Sequence, residues 1–357
     1  MGRPGGTSQL ENGQPRHWQP RHGQLQHGQG MNGPGKSTNS SNGNASPLTP
    51  ALGPEFHPDN DPGGNGLGAV NGGAVQPRGD WRSRLADAAD FARRQVTGDG
   101  EVDEFGFDPE FNSRLLIPAA RMLYQQWFRV QMRGLEHVPA TGAALLVANH
   151  SGVLPLDAIM LQAGLHDEHP AHRNLRLLGA DLVYELPVLS YLARRAGHTR
   201  ACPANAHRLL RDGELVGVFP EGFKGIGKPF SDRYQLRRFG RGGFAVSAIR
   251  ARVPIVPCAI VGAEEIYPMM GNAKALARLL RLPYFPVTPL FPWLGPVGAI
   301  PLPSRWIIEF CPAVPTAGYP AGAWRDPDVI GELAATVRGT VQRKLDDLLA
   351  ERGPAYG

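Results

Sequence analysis

Cysteine is scarce in this sequence, and long apolar runs are absent. Among 357 residues there are three cysteines, Cys202, Cys258 and Cys311, widely spaced and in no CxxC pair. An odd number of isolated cysteines argues against a disulfide framework and against a zinc knuckle. No uncharged apolar run approaches the ~20 residues of a membrane span. No basic-then-apolar signal pattern opens the chain, so we expect a cytoplasmic protein.

Two nucleotide-binding motifs are incomplete in this sequence, and one catalytic motif is missing. Gly222 to Lys228 has the spacing of a phosphate-binding P-loop, but Pro229 stands where the Mg²⁺-binding Ser or Thr should be, which argues against ATP hydrolysis. The stretch Gly240-Arg241-Gly242-Gly243-Phe244-Ala245 matches a dinucleotide fingerprint only superficially, because no predicted strand directly precedes it. There is no GxSxG sequence for a nucleophile elbow.

Apolar residues are also scarce in the first part of the chain. Residues 1–79 consist mainly of Gly, Asn, Gln, Pro, Ser and His, a composition that cannot bury enough surface to offset the entropy of ordering. We predict a disordered, low-complexity tail there. Residues 80–357 fit one large domain, with a helical N-terminal extension (80–133), a core (134–314) and a C-terminal helix (326–352).

Short buried strands alternate with helices in that domain. We predict strands at Ala143–Ala148, Leu175–Ala180, Glu214–Pro220, Pro254–Val261 and Arg305–Cys311. Helices are expected at Arg114–Met132, Ala158–Leu165, Pro187–Ala193, Ala204–Arg211, Phe244–Arg252 and Asp326–Arg352. This order predicts an α/β fold with a mainly parallel central sheet flanked by helices.

Two stretches have the composition of a lipid-facing surface. Arg114–Met132 mixes a large apolar face with arginines, which fits either a helix in a membrane interface or a core helix with a basic edge. Leu276–Pro303 is rich in Leu, Phe, Trp, Tyr and Pro, and its prolines forbid a continuous helix. Exposed, it would be a membrane or acyl-chain surface; buried, it would be a core loop. We favour the lipid role.

The net charge of +5 favours anionic partners. Cations cluster after the strand that ends at Pro220, a pattern that suits phosphate, although the same charges could form a solvated loop. The cations lack interleaved aromatic residues, so a nucleic-acid module is not expected. The cluster comprises Lys224, Lys228, Arg233, Arg237, Arg238 and Arg241.

Polar residues follow two predicted strands. Asn149, His150 and Ser151 come directly after the first strand, and Asp157 follows them. In one straight helix, His150 and Asp157 would lie about 10 Å apart, at roughly 1.5 Å per residue, which is too far for a hydrogen bond. A bend at Gly152 and Pro155 could bring the two side chains together.

A second polar motif follows the strand at Glu214–Pro220. It reads Phe219-Pro220-Glu221-Gly222. The glycine would let a ligand approach the backbone, and the glutamate offers an acceptor to a hydroxyl group.

Taken in order, these motifs and Val253-Pro254-Ile255-Val256-Pro257 resemble the glycerolipid acyltransferase family over about Gly134 to Val314. Gly197-His198-Thr199-Arg200 resembles a degenerate form of the family's second sequence motif, a glycine followed shortly by an arginine. In the usual pattern four residues separate the histidine and the aspartate, whereas six intervene between His150 and Asp157. The longer form resembles branches nearer to neutral-lipid acyltransferases.

The resemblance implies an O-acyltransferase that moves a fatty acyl group from acyl-CoA or acyl-carrier protein to a glycerolipid hydroxyl. The implied acceptor is 1-acylglycerol-3-phosphate, in phospholipid biosynthesis. His150 would be the general base, and Asp157 would hold its tautomer. The implied acceptor-binding residues are Phe219, Pro220, Glu221 and Gly222, with Arg200 and Lys224 for the phosphate.

Because the thioester is already activated, no metal or redox cofactor is expected. We expect peripheral association with the inner face of the membrane. Three alternatives stay open: a neutral-lipid or glycolipid acceptor, a thioester or ester hydrolase that uses the same pair on water, and a non-catalytic lipid-binding protein on the same fold.

Overall fold

Seven strands of the described chain form one central sheet. The computed structural model describes residues 81–97, 100–151, 154–280 and 284–354, and the predicted tail at 1–79 lies outside them. The strands are β1 (Gln131–Arg133), β2 (Ala144–Ala148), β3 (Leu175–Gly179), β4 (Thr199–Arg200), β5 (Leu215–Val218), β6 (Ile255–Val261) and β9 (Ile307–Phe310), and a separate hairpin pairs β7 (Gly271–Asn272) with β8 (Pro286–Val287).

The sheet order is β1-β9-β6-β2-β5-β3-β4. Neighbouring strands are parallel except for the antiparallel pair β6 and β9. The predicted α/β fold with a mainly parallel sheet is therefore confirmed.

Eleven α-helices occur in the described residues. They are α1 (Trp81–Thr97), α2 (Pro109–Phe111), α3 (Ile117–Met122), α4 (Leu156–Glu168), α5 (Asp181–Glu185), α6 (Pro187–Arg195), α7 (Pro203–Arg211), α8 (Phe223–Ile226), α9 (Gly243–Ala251), α10 (Lys274–Leu279) and α11 (Pro327–Arg352). The π-helical segments Asn112–Leu116 and Leu123–Trp127 join α2 and α3 into one helical rod.

Both faces of the sheet are covered, because side chains alternate along each strand. In β2, Ala144, Leu146 and Ala148 pack with α4 and the 109–127 rod. Leu145 and Val147 point to the other face and pack with α7, α9 and α11. All five residues of β2 are buried, which explains why this strand reads as a continuous apolar run.

The carboxyl ends of the parallel strands β2, β5, β3 and β6 lie at one edge of the sheet. We call it the carboxyl edge. Residues that follow these strands, including Asn149, Phe219, Ala180 and Gly262, are therefore brought to the same edge although they are far apart in the sequence. In open parallel sheets this edge is where ligands bind.

The predicted helix at Arg114–Met132 is wrong at both ends. The rod begins after Asp108, whose side chain accepts a hydrogen bond from the Phe111 amide at 2.8 Å, and it ends at Trp127. Gln131–Arg133 is an edge strand that pairs with β9, so the predicted helical extension also contributes to the sheet. A three-residue strand is too short to show an alternating pattern, and its partner lies far along the chain.

The stretch has a buried side and an exposed side. Ile117 and Phe128 are buried in the core, whereas Met122 and Trp127 are exposed. The Trp127 indole donates to the Pro301 carbonyl at 3.0 Å, which places the rod beside the proline-rich stretch.

The proline-rich stretch Leu276–Pro303 has no continuous helix among its described residues. Phe285 and Phe291 pack together with ring centroids 5.4 Å apart, while Trp293 and Leu294 are 72% and 53% exposed. It therefore presents apolar side chains at the surface. None of the helices in the described chain is long and apolar enough to cross a bilayer.

Candidate active site

His150 and Asp157 are in direct contact at the carboxyl end of β2. The Nδ1 atom of His150 lies 2.8 Å from Oδ2 of Asp157, whose side chain is fully buried. A bond to this carboxylate requires the proton on Nδ1, which leaves Nε2 as the nitrogen with a free lone pair. No described residue bonds to Nε2 of His150. The imidazole can therefore accept a proton from a bound molecule.

The contact depends on where α4 begins. Pro155 (φ −77°, ψ 53°) precedes the helix, so Asp157 lies in the first helical turn and turns back toward His150. The expected bend is present at Pro155; Gly152 lies outside the described residues. Asp157 also accepts backbone hydrogen bonds from Ser151 at 2.9 Å and from Ala158 at 2.8 Å. These bonds fix the carboxylate and the segment it holds.

Asn149 anchors the same segment to the neighbouring strand. Its side-chain oxygen accepts from the Ile260 amide at 2.8 Å, and its amide donates to the Ile260 carbonyl at 2.9 Å. Because Asn149 is completely buried, both bonds replace lost contacts with water. Asn149 is thus a positioning residue rather than a group facing a ligand.

The Phe219–Gly222 motif packs directly against His150. The Phe219 ring stacks on the imidazole with centroids 4.5 Å apart, and Glu221 Oε1 accepts from the His150 amide at 3.2 Å. Glu221 Oε2 accepts from the Arg237 amide at 2.7 Å, and the residue is only 4% exposed. Both carboxylate oxygens of Glu221 thus have partners within the protein, whereas the sequence suggested that they accept from a hydroxyl of the acceptor. Its oxygens are used to hold the protein's own loops.

A buried charge cluster lies behind this motif. The Lys228 ammonium is 2.9 Å from Glu264 and 3.5 Å from Glu221. Lys228 is buried and ion-paired, so it is not part of a solvated cationic loop. Burial raises the pKa of Glu264 to about 7, and the positive charge of Lys228 only partly offsets this.

Two glycines allow the motif to approach His150. Gly222 has φ 54° and ψ −144°, a conformation that side-chain-bearing residues rarely adopt. A Cβ atom on Gly225 would lie 2.9 Å from the His150 carbonyl oxygen and 2.8 Å from the Cβ of Glu221. Helix α8 can therefore pack on the His150 segment only with glycine at this position.

The two predicted phosphate-binding residues lie in or after different strands of the sheet. Arg200 is in β4, three strands from β2 or roughly 14 Å at the usual strand spacing. It pairs with Asp181 at 3.1 Å. Lys224, in α8, is exposed and lies two residues after Gly222. The structure thus brings Lys224, and not Arg200, close to the motif.

Tyr284 is a site residue that the sequence did not indicate. It comes from the proline-rich stretch and contacts the position of Gly227, where an added Cβ would lie 3.8 Å from its ring. Burial and the charge of Asp157 raise the pKa of the Tyr284 hydroxyl to about 12. No local pattern singles this residue out, because its proximity to Asp157 comes from folding of a long connection.

No grouping of three or more His, Cys, Asp or Glu side chains within the described ranges is arranged to hold a metal ion.

Comparisons with known proteins agree with this geometry. An acyltransferase family profile matches residues 129–261. An uncharacterized protein of Mycobacterium tuberculosis is 55% identical over 285 residues, which cover 80% of each chain. The chain therefore belongs to the glycerolipid acyltransferase family, and it is an acyltransferase.

Two more distant matches carry functional names. A human "DGAT1/2-independent enzyme synthesizing storage lipids" is 25% identical over 222 residues, 62% of each chain. The crystal structure of the 1-acyl-sn-glycerophosphate acyltransferase PlsC from Thermotoga maritima matches with a TM-score of 0.45 and 18% identity, covering 66% of this chain and 80% of that one.

We predict that Gly225→Ala lowers kcat for acyl transfer by about 10²-fold, because the new methyl group must displace the His150 backbone and misplacements of about 1 Å have that effect. Gly318→Ala is the control, since a Cβ there would meet nothing within 4 Å. Steady-state kinetics of both variants check this. Equal rates would show that the close packing of α8 on His150 is not needed.

Proposed function

We propose that this protein transfers a fatty acyl group from a thioester donor, acyl-CoA or acyl-carrier protein, to a hydroxyl group of a glycerolipid, with 1-acylglycerol-3-phosphate as the acceptor in phospholipid biosynthesis. The observation that carries the proposal is the 2.8 Å contact between His150 Nδ1 and Asp157 Oδ2 at the carboxyl edge. Membership of the acyltransferase family supports the reaction class.

In the proposed reaction, Nε2 of His150 removes the proton from the acceptor hydroxyl as its oxygen attacks the thioester carbonyl carbon. The new C–O bond forms, the C–S bond breaks, and the leaving thiolate takes the proton back from the imidazolium. Asp157 stabilises the imidazolium and keeps Nε2 unprotonated beforehand. A base of this kind contributes about 10²–10⁴-fold, because an alcohol is a poor nucleophile at neutral pH.

The other motif residues divide into two roles. Phe219 and Glu221 position His150 through the ring stack and the backbone hydrogen bond. Gly222 and the exposed Lys224 are the groups that we assign to the acceptor, Gly222 by backbone approach and Lys224 by charge. Pro220 shapes this turn. Arg200 is a more remote candidate for the phosphate.

A second candidate acceptor is a neutral glycerolipid such as diacylglycerol. The similarity to the human enzyme named for storage-lipid synthesis favours it. The pairing of Arg200 with Asp181 also favours it, because Asp181 competes with a phosphate for one of the two expected ligands.

We expect purified protein to release free thiol from a long-chain acyl-CoA only when an acceptor is present, and His150→Ala to reduce that release about 10²–10⁴-fold because the proton acceptor is lost. The assay compares lysophosphatidate, diacylglycerol and no acceptor. His207→Ala, a half-buried histidine on α7, is the matched control and should keep its rate.

Three outcomes contradict parts of this proposal. Thiol release without any acceptor would indicate a hydrolase. Full activity of His150→Ala would exclude its role as base. Dependence on diacylglycerol alone would assign the neutral acceptor.

Exposed apolar side chains support a peripheral association of the protein with the membrane that holds its lipid substrates. Within the described residues, most of the large ones lie in the connections that follow β2, β3, β5 and β6, the strands whose carboxyl ends form the carboxyl edge. They are Leu154, Leu186, Val188, Leu189, Tyr191, Leu192, Phe223, Met270, Leu276, Leu279, Leu280, Trp293, Leu294, Val297 and Ile300. An apolar surface around the site fits peripheral association with a membrane.

We predict that Val188→Glu, at a position 75% exposed on α6, lowers binding to anionic phospholipid vesicles about tenfold, since it removes an inserted apolar group and adds a repelled charge. Thr336→Glu, an exposed position on α11, should leave vesicle binding unchanged. Co-sedimentation with phosphatidylglycerol vesicles measures both. Equal losses in the two variants would mean that only overall charge matters.

A further inference from the structure

A cationic cavity lies apart from His150, between α9, α11 and the loop at residues 238–242. Its volume is about 480 Å³. That lies within the range of roughly 300–1,000 Å³ typical of small-molecule and cofactor sites. Its lining includes four arginines, contributed by three separate segments of the chain: Arg238, Arg241, Arg325 and Arg338.

The charge in this cavity is not neutralised by its own lining. Asp326 is the single carboxylate among the described lining residues, so four arginines and one aspartate give a net charge of +3. Asp326 is already engaged, because its side chain accepts from the Asp328 amide at 2.9 Å. Within the described chain neither Arg238 nor Arg241 has an ion-pair partner. A concave surface with one sign of charge attracts anions, and guanidinium groups bind phosphate in a bidentate manner.

Two of the arginines are held in place by the protein. The Arg325 guanidinium lies 4.4 Å from the centroid of the Trp324 ring, and Arg338 donates from Nε to the Arg237 carbonyl at 3.2 Å. Trp324 also lines the cavity, together with the apolar side chains of Phe239 and Ile330. The site therefore combines anchored cations with an apolar wall, which suits a phosphorylated nucleotide better than a free phosphate.

The cavity borders the loop that positions the catalytic histidine. A Cβ added to Gly240, a lining residue, would lie 3.7 Å from the Pro220 carbonyl oxygen. The Arg237 amide, next to Arg238, donates to Glu221, which in turn accepts from the His150 amide. A long donor could thus place one end in the cavity and its thioester near His150.

We propose, building on the acyltransferase function above, that this cavity binds the phosphorylated adenosine end of a coenzyme A thioester. Coenzyme A carries three phosphate groups and an aromatic base, which match the four arginines and the apolar wall. Acyl-carrier protein carries the same pantetheine arm without the nucleotide and would leave the cavity empty. The phosphate of a lipid acceptor is the other possible source of the same anion chemistry.

The first test measures binding without turnover, so it is independent of the proposed reaction. Calorimetry with the full-length protein should detect adenosine 3′,5′-bisphosphate and coenzyme A, with affinity that falls as salt is raised. The double variant Arg238→Ala/Arg241→Ala should raise both dissociation constants at least about tenfold, because charge-assisted hydrogen bonds are lost. Arg211→Ala, an exposed arginine at the end of α7, is the control.

The second test uses kinetics to separate the two sources of phosphate. We expect the double variant to reduce the preference for acyl-CoA over S-acyl-pantetheine, measured as the ratio of kcat/KM values. A rise in the KM of lysophosphatidate with an unchanged donor preference would overturn the proposal and assign the cavity to the acceptor. Arg325→Lys keeps the charge but loses the planar group, so we expect a smaller loss of nucleotide affinity from this milder variant.

Absence of nucleotide binding by the folded wild-type protein would also overturn the proposal, even if acyl transfer from another donor were observed. Conversely, nucleotide binding without any acyl transfer would support the cavity assignment and count against the proposed reaction. The two conclusions can therefore fail separately.

Discussion

Two buried carboxylates hold the segment that carries His150, and the rest of the site depends on them. Asp157 accepts from the Ser151 amide and contacts the His150 ring, while Glu221 accepts from the His150 amide. One carboxylate comes from the start of α4 and the other from the loop after β5. Because each is buried and hydrogen-bonded to backbone, moving either would leave a polar group unsatisfied, a cost of about 1–3 kcal/mol.

Much of this arrangement was readable in the sequence. The strands ending before Asn149 and Phe219 are apolar runs, and the carboxyl ends of parallel strands lie at one edge of the sheet, so both motifs could be expected at that edge. That β5 lies directly beside β2 is shown only by the structure. The extra residues between His150 and Asp157 are accommodated because α4 begins only at Leu156.

Other features depend on contacts that no local pattern encodes. Glu221 was expected to face the acceptor, but its partners are backbone amides at His150 and Arg237, which are set by tertiary packing. The edge strand Gln131–Arg133 is too short to be recognised, and Tyr284 reaches the site through a long connection. The cationic residues after Pro220 looked like one cluster, yet Lys228 is buried in a salt bridge while Arg238 lines a cavity.

The surface of the molecule is organised around the same edge. Exposed apolar side chains follow the strands that end there, whereas the exposed positions of α11 between Glu332 and Asp347 are mostly charged or polar. The proposed reaction would bring a water-soluble thioester and a lipid hydroxyl to His150. In that proposal, the exposed apolar side chains would serve the lipid, and the cationic cavity beside the Phe219–Gly222 loop would serve the thioester donor.

The most direct measurement of the central claim is the acyl-transfer rate of Asp157→Asn, with thermal stability recorded on the same sample. Asparagine keeps the size of the side chain but no longer favours the tautomer with a free Nε2, so we expect kcat to fall about 10²–10⁴-fold while the protein stays folded. An unchanged kcat in a folded variant would show that the His150–Asp157 contact is structural and that the proton is taken by another group.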